Sequence, residues 1–337
     1  MVVLGIESTA HTASVGLIDE GARVLALASD MYRPPAGGIH PREAANHHVD
    51  RLPGLVAQAL AEAKVGPGDI EAIAFAQGPG LGPCLRAGAT VARTLALLWR
   101  RPLVPVNHCV AHIEIARALS GLDDPMLLYA SGGNTQVIAW GTDRYRVLGE
   151  TLDVGIGNFL DKLWIAMGGV FPGGPALEAE AKRGTTLVPL PYSVHGMDVA
   201  FSGLLTATLA QRARGVSRED LAYSVEVTAY SMLTEITERA LAHRRKGSVV
   251  LGGGVACNGR LREMVRAMVE GRGGTAFAPP KSLCVDNGAM IAWTGLLAHR
   301  AGRSVAVERS GVEPRQRTDQ VPAPWRTGAV TPRAVAA

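Results

Sequence analysis

The alternation of hydrophobic and polar positions along the chain predicts short buried strands interleaved with amphipathic helices. Residues 1–8 and 13–18 form two apolar runs joined by a polar stretch, the pattern of two strands with a hairpin-like turn. Apolar residues spaced three and four apart predict helices near 43–63, 83–99, 108–119, 218–244, 259–270 and 286–300. Beyond about residue 307 the chain becomes polar, with Pro and Arg, and is expected to wrap or fray. This alternation predicts an α/β fold.

The strand-turn-strand pattern of the N-terminus returns at residues 126–139. Setting residues 8–17 over residues 131–140 aligns Ser8 with Ser131 and Thr12 with Thr135. Self-similarity at this distance indicates an internal duplication.

A second repeated pattern supports the duplication. Residues 75–99 and 248–269 both run strand, Gly-rich turn, helix, which leaves unpaired backbone amides where each helix begins. We therefore expect two α/β lobes with a cleft between them, one over residues 1–125 and one over 126–300. The polar tail, 301–337, is expected to be able to pack back on the first lobe.

Composition narrows the class of protein. Hydrophobic residues make up 47% of the 337 positions and charged residues 19%, which is ample for a core and argues against disorder. The net charge of +4 permits a nucleic-acid partner without requiring one. The four cysteines form no CxxC pair, and neither a signal peptide nor a membrane-length apolar run is apparent, so a soluble cytoplasmic protein is expected.

Two histidines four residues apart are the first candidates for chemistry. On a helix, His108 and His112 project from one face and are able to share a metal ion. The alternative is two unrelated histidines, one capping and one partly buried. A zincin peptidase carries Glu directly after its first histidine, whereas Cys109 stands there in this chain, so the peptidase interpretation lacks its general base.

Several other polar residues admit both a functional and a structural role. Asp286 is a further candidate ligand, although taken alone it is better explained as the N-cap of the last helix. Glu7, at the end of the first strand, either orients a ligand in the cleft or is satisfied by a neighbouring amide. The remaining candidates also have two interpretations each. His40, His47 and His48 either bind a metal or a phosphate, or they belong to a solvated helix face. Asp161, Gly174 and Glu178 either contact a ribose or an amine, or they cap helices.

Nine motifs, in this order, strongly resemble the TsaD-like family in its archaeal and eukaryotic branch. They are GIESTAHTASVGLID, IHPREAANHH, QGPGLGPCLRAGA, NHCVAHIE, YASGGNTQVIA, FPGGPALE, GMDVAFSGLLTA, GGGVACNGRL and CVDNGAMIAW. The resemblance covers nearly the whole chain, from residue 3 to the RTDQV segment near residue 321. It implies the actin/Hsp70/sugar-kinase (ASKHA) fold of two duplicated lobes around a nucleotide and metal cleft.

The resemblance also implies an activity. This family is the catalytic subunit of the KEOPS complex, an acyltransferase that moves a threonylcarbamoyl group from threonylcarbamoyl-adenylate to tRNA. The acceptor is N6 of the adenosine 3′ of the anticodon, position 37, in tRNAs that read ANN codons, and AMP is released. The expected partners are tRNA, a separate KEOPS kinase, the small KEOPS subunits and a separate synthase that supplies the adenylate.

Site residues carry over by motif. The implied metal ligands are His108, His112, Tyr129 and Asp286, for one divalent ion, Fe2+ first and Zn2+ as the alternative. The implied adenylate contacts are Tyr129, Ala130, Ser131, Gly132, Gly133, Asp161, Gly174, Glu178 and Asn258. No side chain is expected to act as a covalent nucleophile, and Glu7 is a tentative catalytic residue.

Two rival functions and one departure accompany this resemblance. The rivals are a metal-dependent glycoprotease-type peptidase and a nucleic-acid- or ATP-binding regulatory module without turnover. The departure is Ser8, which stands where many relatives of this branch have Gly and is expected to crowd the first turn slightly.

Overall fold

Two five-stranded mixed sheets form the framework in a computed structural model, which describes residues 1–35 and 37–326. In the first sheet the spatial order is β3-β2-β1-β4-β5, with β1 parallel to β4 and antiparallel to β2. Its strands are β1 (Val2–Glu7), β2 (Thr12–Asp19), β3 (Val24–Met31), β4 (Ile70–Gly78) and β5 (Leu103–Asn107).

The second sheet repeats the first strand for strand. Its order, β8-β7-β6-β11-β12, places β6 and β7 where the first sheet has β1 and β2, and β11 where it has β4. Its strands are β6 (Met126–Ala130), β7 (Thr135–Trp140), β8 (Tyr145–Glu150), β11 (Ser248–Gly252) and β12 (Thr275–Phe277). A separate two-stranded ribbon joins β9 (Val194–His195) to β10 (Asp198–Val199). The predicted α/β fold with duplicated lobes is confirmed.

Ten helices cover the sheets and the interface between them in the described residues. They are α1 (Pro41–Ala63), α2 (Gly82–Trp99), α3 (His108–Ser120), α4 (Ile156–Ala166), α5 (Gly173–Ala181), α6 (Ser202–Ala213), α7 (Arg218–Arg244), α8 (Gly259–Gly271), α9 (Lys281–Cys284) and α10 (Gly288–Arg300). All six predicted helices are present, with limits within two residues of those expected. Among the helices not predicted, α4, α5 and α6 follow Gly155, Pro172 and Phe201, which offer no side-chain cap to mark a helix start.

The last helix, α10, packs on the sheet of the first lobe. Helix and strands approach closely because glycine faces glycine there: a Cβ on Gly5 would lie 2.2 Å from the Ala292 nitrogen, and one on Gly16 would lie 2.2 Å from the Ala289 nitrogen. Helix α3 lies beside α10 and also contacts β6 and β11 of the second sheet. The division at residues 125 and 300 stays a prediction, and these two helices join the lobes across it.

The tail after α10 wraps over both lobes. Val305 bridges to Leu103 on the first sheet, and Pro322 bridges to Arg144 beside the second. The indole of Trp325 is buried and donates to Glu114 Oε1 on α3 at 2.8 Å. The tail therefore ties the lobes together as far as residue 326, and the rest of the predicted tail, 327–337, lies outside the described residues. In the described part of the chain, every helix is too short or too polar to cross a bilayer.

Candidate active site

Helix α3 carries the two histidines that the sequence singled out. Asn107 caps this helix, because its side chain accepts a hydrogen bond from the Val110 amide at 3.0 Å. His108 and His112 occupy the first and second turns of the helix, and their ring centroids are 4.8 Å apart. Both rings are buried, at 3% and 1% exposure, so neither belongs to a solvated helix face.

Two further polar side chains converge on these rings from other elements. The Asp286 Oδ1 lies 3.4 Å from His108 Nε2 and 3.3 Å from His112 Nε2. The Tyr129 hydroxyl, from the end of β6, lies 2.9 Å from His108 Nε2. In the described residues, His108, His112 and Asp286 form a cluster whose ligand atoms all lie within 4.8 Å of one another. This cluster has the geometry to hold a metal ion.

The cap of α10 is Asn287, not Asp286. The Asn287 side chain accepts a hydrogen bond from the Met290 amide at 2.9 Å, so the expectation that Asp286 alone is better explained as an N-cap is wrong. The neighbouring asparagine frees Asp286 to turn towards the histidines.

Glu7 lies directly behind His108. One carboxylate oxygen accepts from His108 Nδ1 at 2.8 Å, and the other accepts from the Thr9 amide at 2.6 Å. A proton held on Nδ1 by this carboxylate leaves the Nε2 lone pair of His108 facing Asp286 and Tyr129. This is the arrangement by which an outer carboxylate orients a metal-binding histidine.

Electrostatics in the cluster follow from its burial and its carboxylates. Burial lowers the pKa of His108, but the charges of Glu7 and Asp286 outweigh it and raise that pKa well above its ordinary value. Burial lowers the pKa of His112, which keeps that ring neutral. Burial works to raise the pKa of Asp286, yet the two histidines hold it well below the usual range. The raised pKa favours the protonated form of His108, and an ion bound at Nε2 would displace the proton there. The ionised carboxylate and the two imidazole nitrogens would then form a mixed N/O set suited to a transition-metal ion.

A glycine turn continues directly from Tyr129. In this turn, residues 131–134 between β6 and β7, the Ser131 amide donates to the Asn134 carbonyl at 2.9 Å. The Asn158 amide, in the first turn of α4, donates to the Gly132 carbonyl at 3.0 Å. A Cβ on Gly157 would lie 2.7 Å from the Gly132 Cα, so the backbone of α4 is packed directly against the turn.

Hydrogen bonds link several of the predicted adenylate contacts to residues beside the next ones. From α4, Asp161 accepts a hydrogen bond from the Gly173 amide at 2.6 Å, which places it beside Gly174 where α5 begins. One turn along α5, Glu178 accepts from the Gly259 amide at 3.3 Å, beside Asn258.

The Gly-rich turn after β11 lies close to Ala130. A Cβ on Gly253, the first residue after that strand, would lie 2.4 Å from the Ala130 carbonyl oxygen, next to Ser131. Contacts between neighbouring residues thus connect the glycine turn, the start of α5 and the turn after β11, and the assignment of these residues to the adenylate stays a prediction.

Two supporting residues escaped the sequence analysis. Glu226 on α7 is 2% exposed and accepts from Asn258 Nδ2 at 2.6 Å and from Arg260 Nε at 3.1 Å. Thr9, whose hydroxyl lies 3.4 Å from His108 Nδ1, sits between Glu7 and the first turn. Neither could be recognised, because Glu226 stands in a helical stretch with no motif and a hydroxyl in a turn is ordinary.

The histidines of α1 do not join the metal cluster. His40 is exposed, and His47 Nε2 lies 3.0 Å from Asp30 Oδ1 at the end of β3. His48 is buried, and burial lowers its pKa to about 4. In the part of the chain that the structure describes, the metal-type cluster lies at residues 108, 112 and 286 and not here.

Comparison with known proteins finds relatives that match nearly the whole chain. The family model TsaD, described as tRNA N6-adenosine threonylcarbamoyltransferase, matches residues 23–293. A protein of Archaeoglobus fulgidus with the same description is 53% identical over 325 residues, covering 96% of this chain and 100% of the relative.

Other relatives are longer than this chain. A probable bifunctional tRNA threonylcarbamoyladenosine biosynthesis protein of Methanocaldococcus jannaschii is 52% identical over 96% of this chain, which spans only 60% of that relative. Among solved structures, HypF of T. kodakarensis superimposes with a TM-score of 0.65 at 16% identity, covering 90% of this chain and 48% of that one. This last likeness supports the ASKHA fold and carries no statement about activity.

Proposed function

The chain belongs to the TsaD family of tRNA N6-adenosine threonylcarbamoyltransferases, and from that premise we propose that it is an acyltransferase of this kind. The acyl donor is threonylcarbamoyl-adenylate, and the acceptor is N6 of the adenosine at position 37 of ANN-decoding tRNAs. The proposal rests on one observation: Tyr129 joins the metal-type cluster, and the residues after it form the glycine turn. A candidate metal site and a turn suited to phosphate binding therefore lie on one stretch of backbone.

The metal-type cluster fits one divalent ion, held by His108, His112, Asp286 and Tyr129. Iron(II), or else zinc, suits two imidazoles, a carboxylate and a phenolic oxygen. When bound, such an ion supplies Lewis-acid polarisation of the carbamoyl oxygen and a fixed anchor for the donor. Glu7 is a positioning residue in this proposal, because it acts on the substrate only by holding the tautomer and the orientation of His108.

The remaining residues hold the adenylate. In the glycine turn, 131–134, the backbone amides of Gly132 and Gly133 are offered to the phosphate, since neither residue carries a side chain to block its approach. Asp161, Gly174 and Glu178 line the ribose side, and Asn258, held by Glu226, faces the nucleoside. These contacts fix the donor so that its carbonyl carbon lies beside the metal-type cluster.

The reaction then needs no covalent enzyme intermediate. N6 of the adenosine attacks the carbamoyl carbon, the bond from that carbon to the phosphate oxygen breaks, and AMP leaves with the bonding electrons. The N6 proton passes to solvent. Catalysis by this chain rests on positioning and on electrostatic stabilisation of the leaving phosphate.

The proposal includes partners and a compartment. We place the chain in the cytoplasm, together with a KEOPS kinase, the small KEOPS subunits and a synthase that makes the adenylate. A net charge of +4 gives one chain little grip on a tRNA, so turnover is expected to require the assembly.

The test is reconstitution. The full chain is incubated with KEOPS partners, a synthase, ATP, threonine, bicarbonate and an ANN-decoding tRNA, and the digested tRNA is examined by mass spectrometry. Threonylcarbamoyladenosine should appear, and it should be lost with His108→Ala and with Asp286→Ala. A metal-loaded chain that forms none, although the synthase makes adenylate, would contradict the transferase and favour the binding module.

A further inference from the structure

Four exposed arginines stand on segments of the first lobe and of the tail that contact the turn between β1 and β2 or the start of α2. They are Arg33, Arg42, Arg86 and Arg315, defined here as the arginine rim. Several other arginines of the chain are paired with carboxylates: Arg117 with Glu114, Arg183 with Glu180 and Arg300 with Glu20. In the described residues, no carboxylate lies within ion-pair distance of a rim arginine.

The rim arginines come from four separate segments, which are connected by contacts of the residues beside them. Arg33 follows Tyr32, whose amide donates to the His11 carbonyl at 2.8 Å in the β1–β2 turn. Arg42 lies in the first turn of α1, where the Pro41 carbonyl accepts from Cys84 Sγ of α2 at 3.6 Å.

The other two rim arginines lie on the neighbouring turn. Arg86 is in the second turn of α2, and its Nη1 lies 3.5 Å from the position of a Cβ on Gly82. The Pro314 ring lies 3.3 Å from that same position, so the residue before Arg315 packs beside the start of α2. The tail thus adds its charge to the start of α2.

Thr9 connects this rim to the reaction centre. Its carbonyl accepts from the Leu81 amide at 2.7 Å, where α2 begins, while its hydroxyl lies 3.4 Å from His108 Nδ1. The start of α2, which carries Arg86, and the metal-type cluster are therefore both in contact with Thr9.

Two exposed carboxylates, Glu43 and Glu313, lie beside rim arginines in the chain, so the four guanidinium groups are only partly offset. Glu43 accepts a hydrogen bond from the Tyr32 hydroxyl, and Glu313 accepts from Gln316 Nε2 at 3.2 Å, so neither is ion-paired with a rim arginine. The helices add positive potential, because the N-caps of α1 and α2, His40 and Leu81, provide no side-chain cap for the first amides. Four unpaired guanidinium groups and two uncapped helix starts form an anion-binding surface.

We propose that the arginine rim binds the sugar-phosphate backbone of the tRNA anticodon loop on both sides of the acceptor adenosine. The proposal rests on the proposed function, since it names the surface by which that substrate is held. Guanidinium groups match phosphate oxygens in charge and geometry, and several contacts spaced around the site would fix the loop while its adenine enters the cleft.

The experiment measures tRNA affinity as a function of salt for the full chain and for a variant with all four rim arginines changed to Gln. Each lost phosphate contact should flatten the slope of log K against log salt by about 1, so the quadruple variant should lose about 3 to 4 from the slope. In the reconstituted assembly, KM for tRNA should rise at least about tenfold while kcat stays within about twofold. Metal content and AMP binding should remain those of the unmodified chain.

Arg266→Gln is the matched control, because Arg266 is also exposed and unpaired but lies on α8, away from the rim. An unchanged slope and KM in the quadruple variant, or an equal loss with Arg266→Gln alone, would contradict the proposal that the arginine rim binds the tRNA backbone. Failure of the unmodified assembly to modify tRNA would count against the proposed function instead, so the two failures are distinguishable.

Discussion

The two halves of the duplication share one topology and have diverged into two different sites. At the end of β1 the first lobe presents Glu7, which accepts from His108 and the Thr9 amide. At the matching end of β6 the second lobe presents Ala130, followed by the glycine turn. One framework thus places a carboxylate against a histidine of the metal-type cluster in one half and a glycine turn at the matching point of the other.

The Gly-rich turns that follow β4 and β11 also differ between the two halves. In the first lobe the tail covers the turn: the Gly80 amide donates to the Pro314 carbonyl at 3.1 Å, and a Cβ on Gly78 would lie 1.9 Å from the Glu313 carbonyl oxygen. In the second lobe, a Cβ on Gly254 would meet nothing within 4 Å. A duplicated fold need not have two ligand sites, because the chain itself occupies one of them.

The largest effect is expected from substitution of Asp286, whose carboxylate lies within 3.4 Å of both histidines. Asp286→Ala removes the charge that both histidines face, so metal content should fall and transfer should drop by at least about 100-fold. Elemental analysis and the tRNA modification assay measure these together. Glu71→Ala, at an exposed carboxylate on β4, serves as the control, and full metal occupancy in the Asp286 variant would remove it from the ligand set.

Glu7→Gln tests the specialisation of the first lobe. The amide no longer holds the proton of His108 Nδ1 by charge, so metal affinity should weaken about 10- to 100-fold. Titration of metal into the stripped chain provides the measurement, and AMP binding should be unaffected. A parallel loss of AMP binding would show that the two halves are not separate in function.

Glu226→Gln is the matching change in the second lobe. It weakens the support of Asn258 and Arg260, so AMP affinity should fall about tenfold. Calorimetry with AMP measures the loss. Metal affinity should be retained, and a variant that instead loses metal would reverse the assignment of roles between the lobes.

Gly78→Ala probes the turn that the tail covers. The added methyl collides with the backbone of residue 313, so the variant should lose about 1–3 kcal/mol in the free energy of unfolding. Gly254→Ala, at the open turn, should stay close to the unmodified chain in urea unfolding. Equal stability of the two variants would mean that the tail is not held against the Gly-rich turn after β4.

The smallest effect concerns pH. His48 has a folded-state pKa of about 4 and lies beside Ala10 and His11, which lie in the turn between β1 and β2. The matching turn between β6 and β7, residues 131–134, contains no histidine. A lowered folded pKa contributes stability above the unfolded pKa near 6.5, and that stability is lost as pH falls towards 4.

Between pH 7.5 and pH 5.5 this histidine should account for about 1 kcal/mol of lost stability. Urea unfolding of the chain and of His48→Gln at the two pH values measures it. The His48→Gln variant should show the smaller decrease, and identical decreases would assign the acid sensitivity to other groups.

Local sequence signals were sufficient for much of this fold. Strand pairs, helix periodicity and turn glycines depend on neighbouring residues, so the repeat of Ser8 and Thr12 at Ser131 and Thr135 was visible without a structure. The spacing of His108 and His112 likewise indicated a shared helix face, because it is a property of one helix.

Distances between elements were decided only by the tertiary structure. Asp286 stands 174 residues from His112, and capping explained it equally well until Asn287 proved to hold the cap. The support of Asn258 by Glu226 and the covering of the first glycine turn by the tail join segments far apart in the chain. Sequence periodicity determines which faces are buried, whereas packing of those faces against one another decides which polar groups meet, and that is why the site could be proposed from motifs but assembled only in three dimensions.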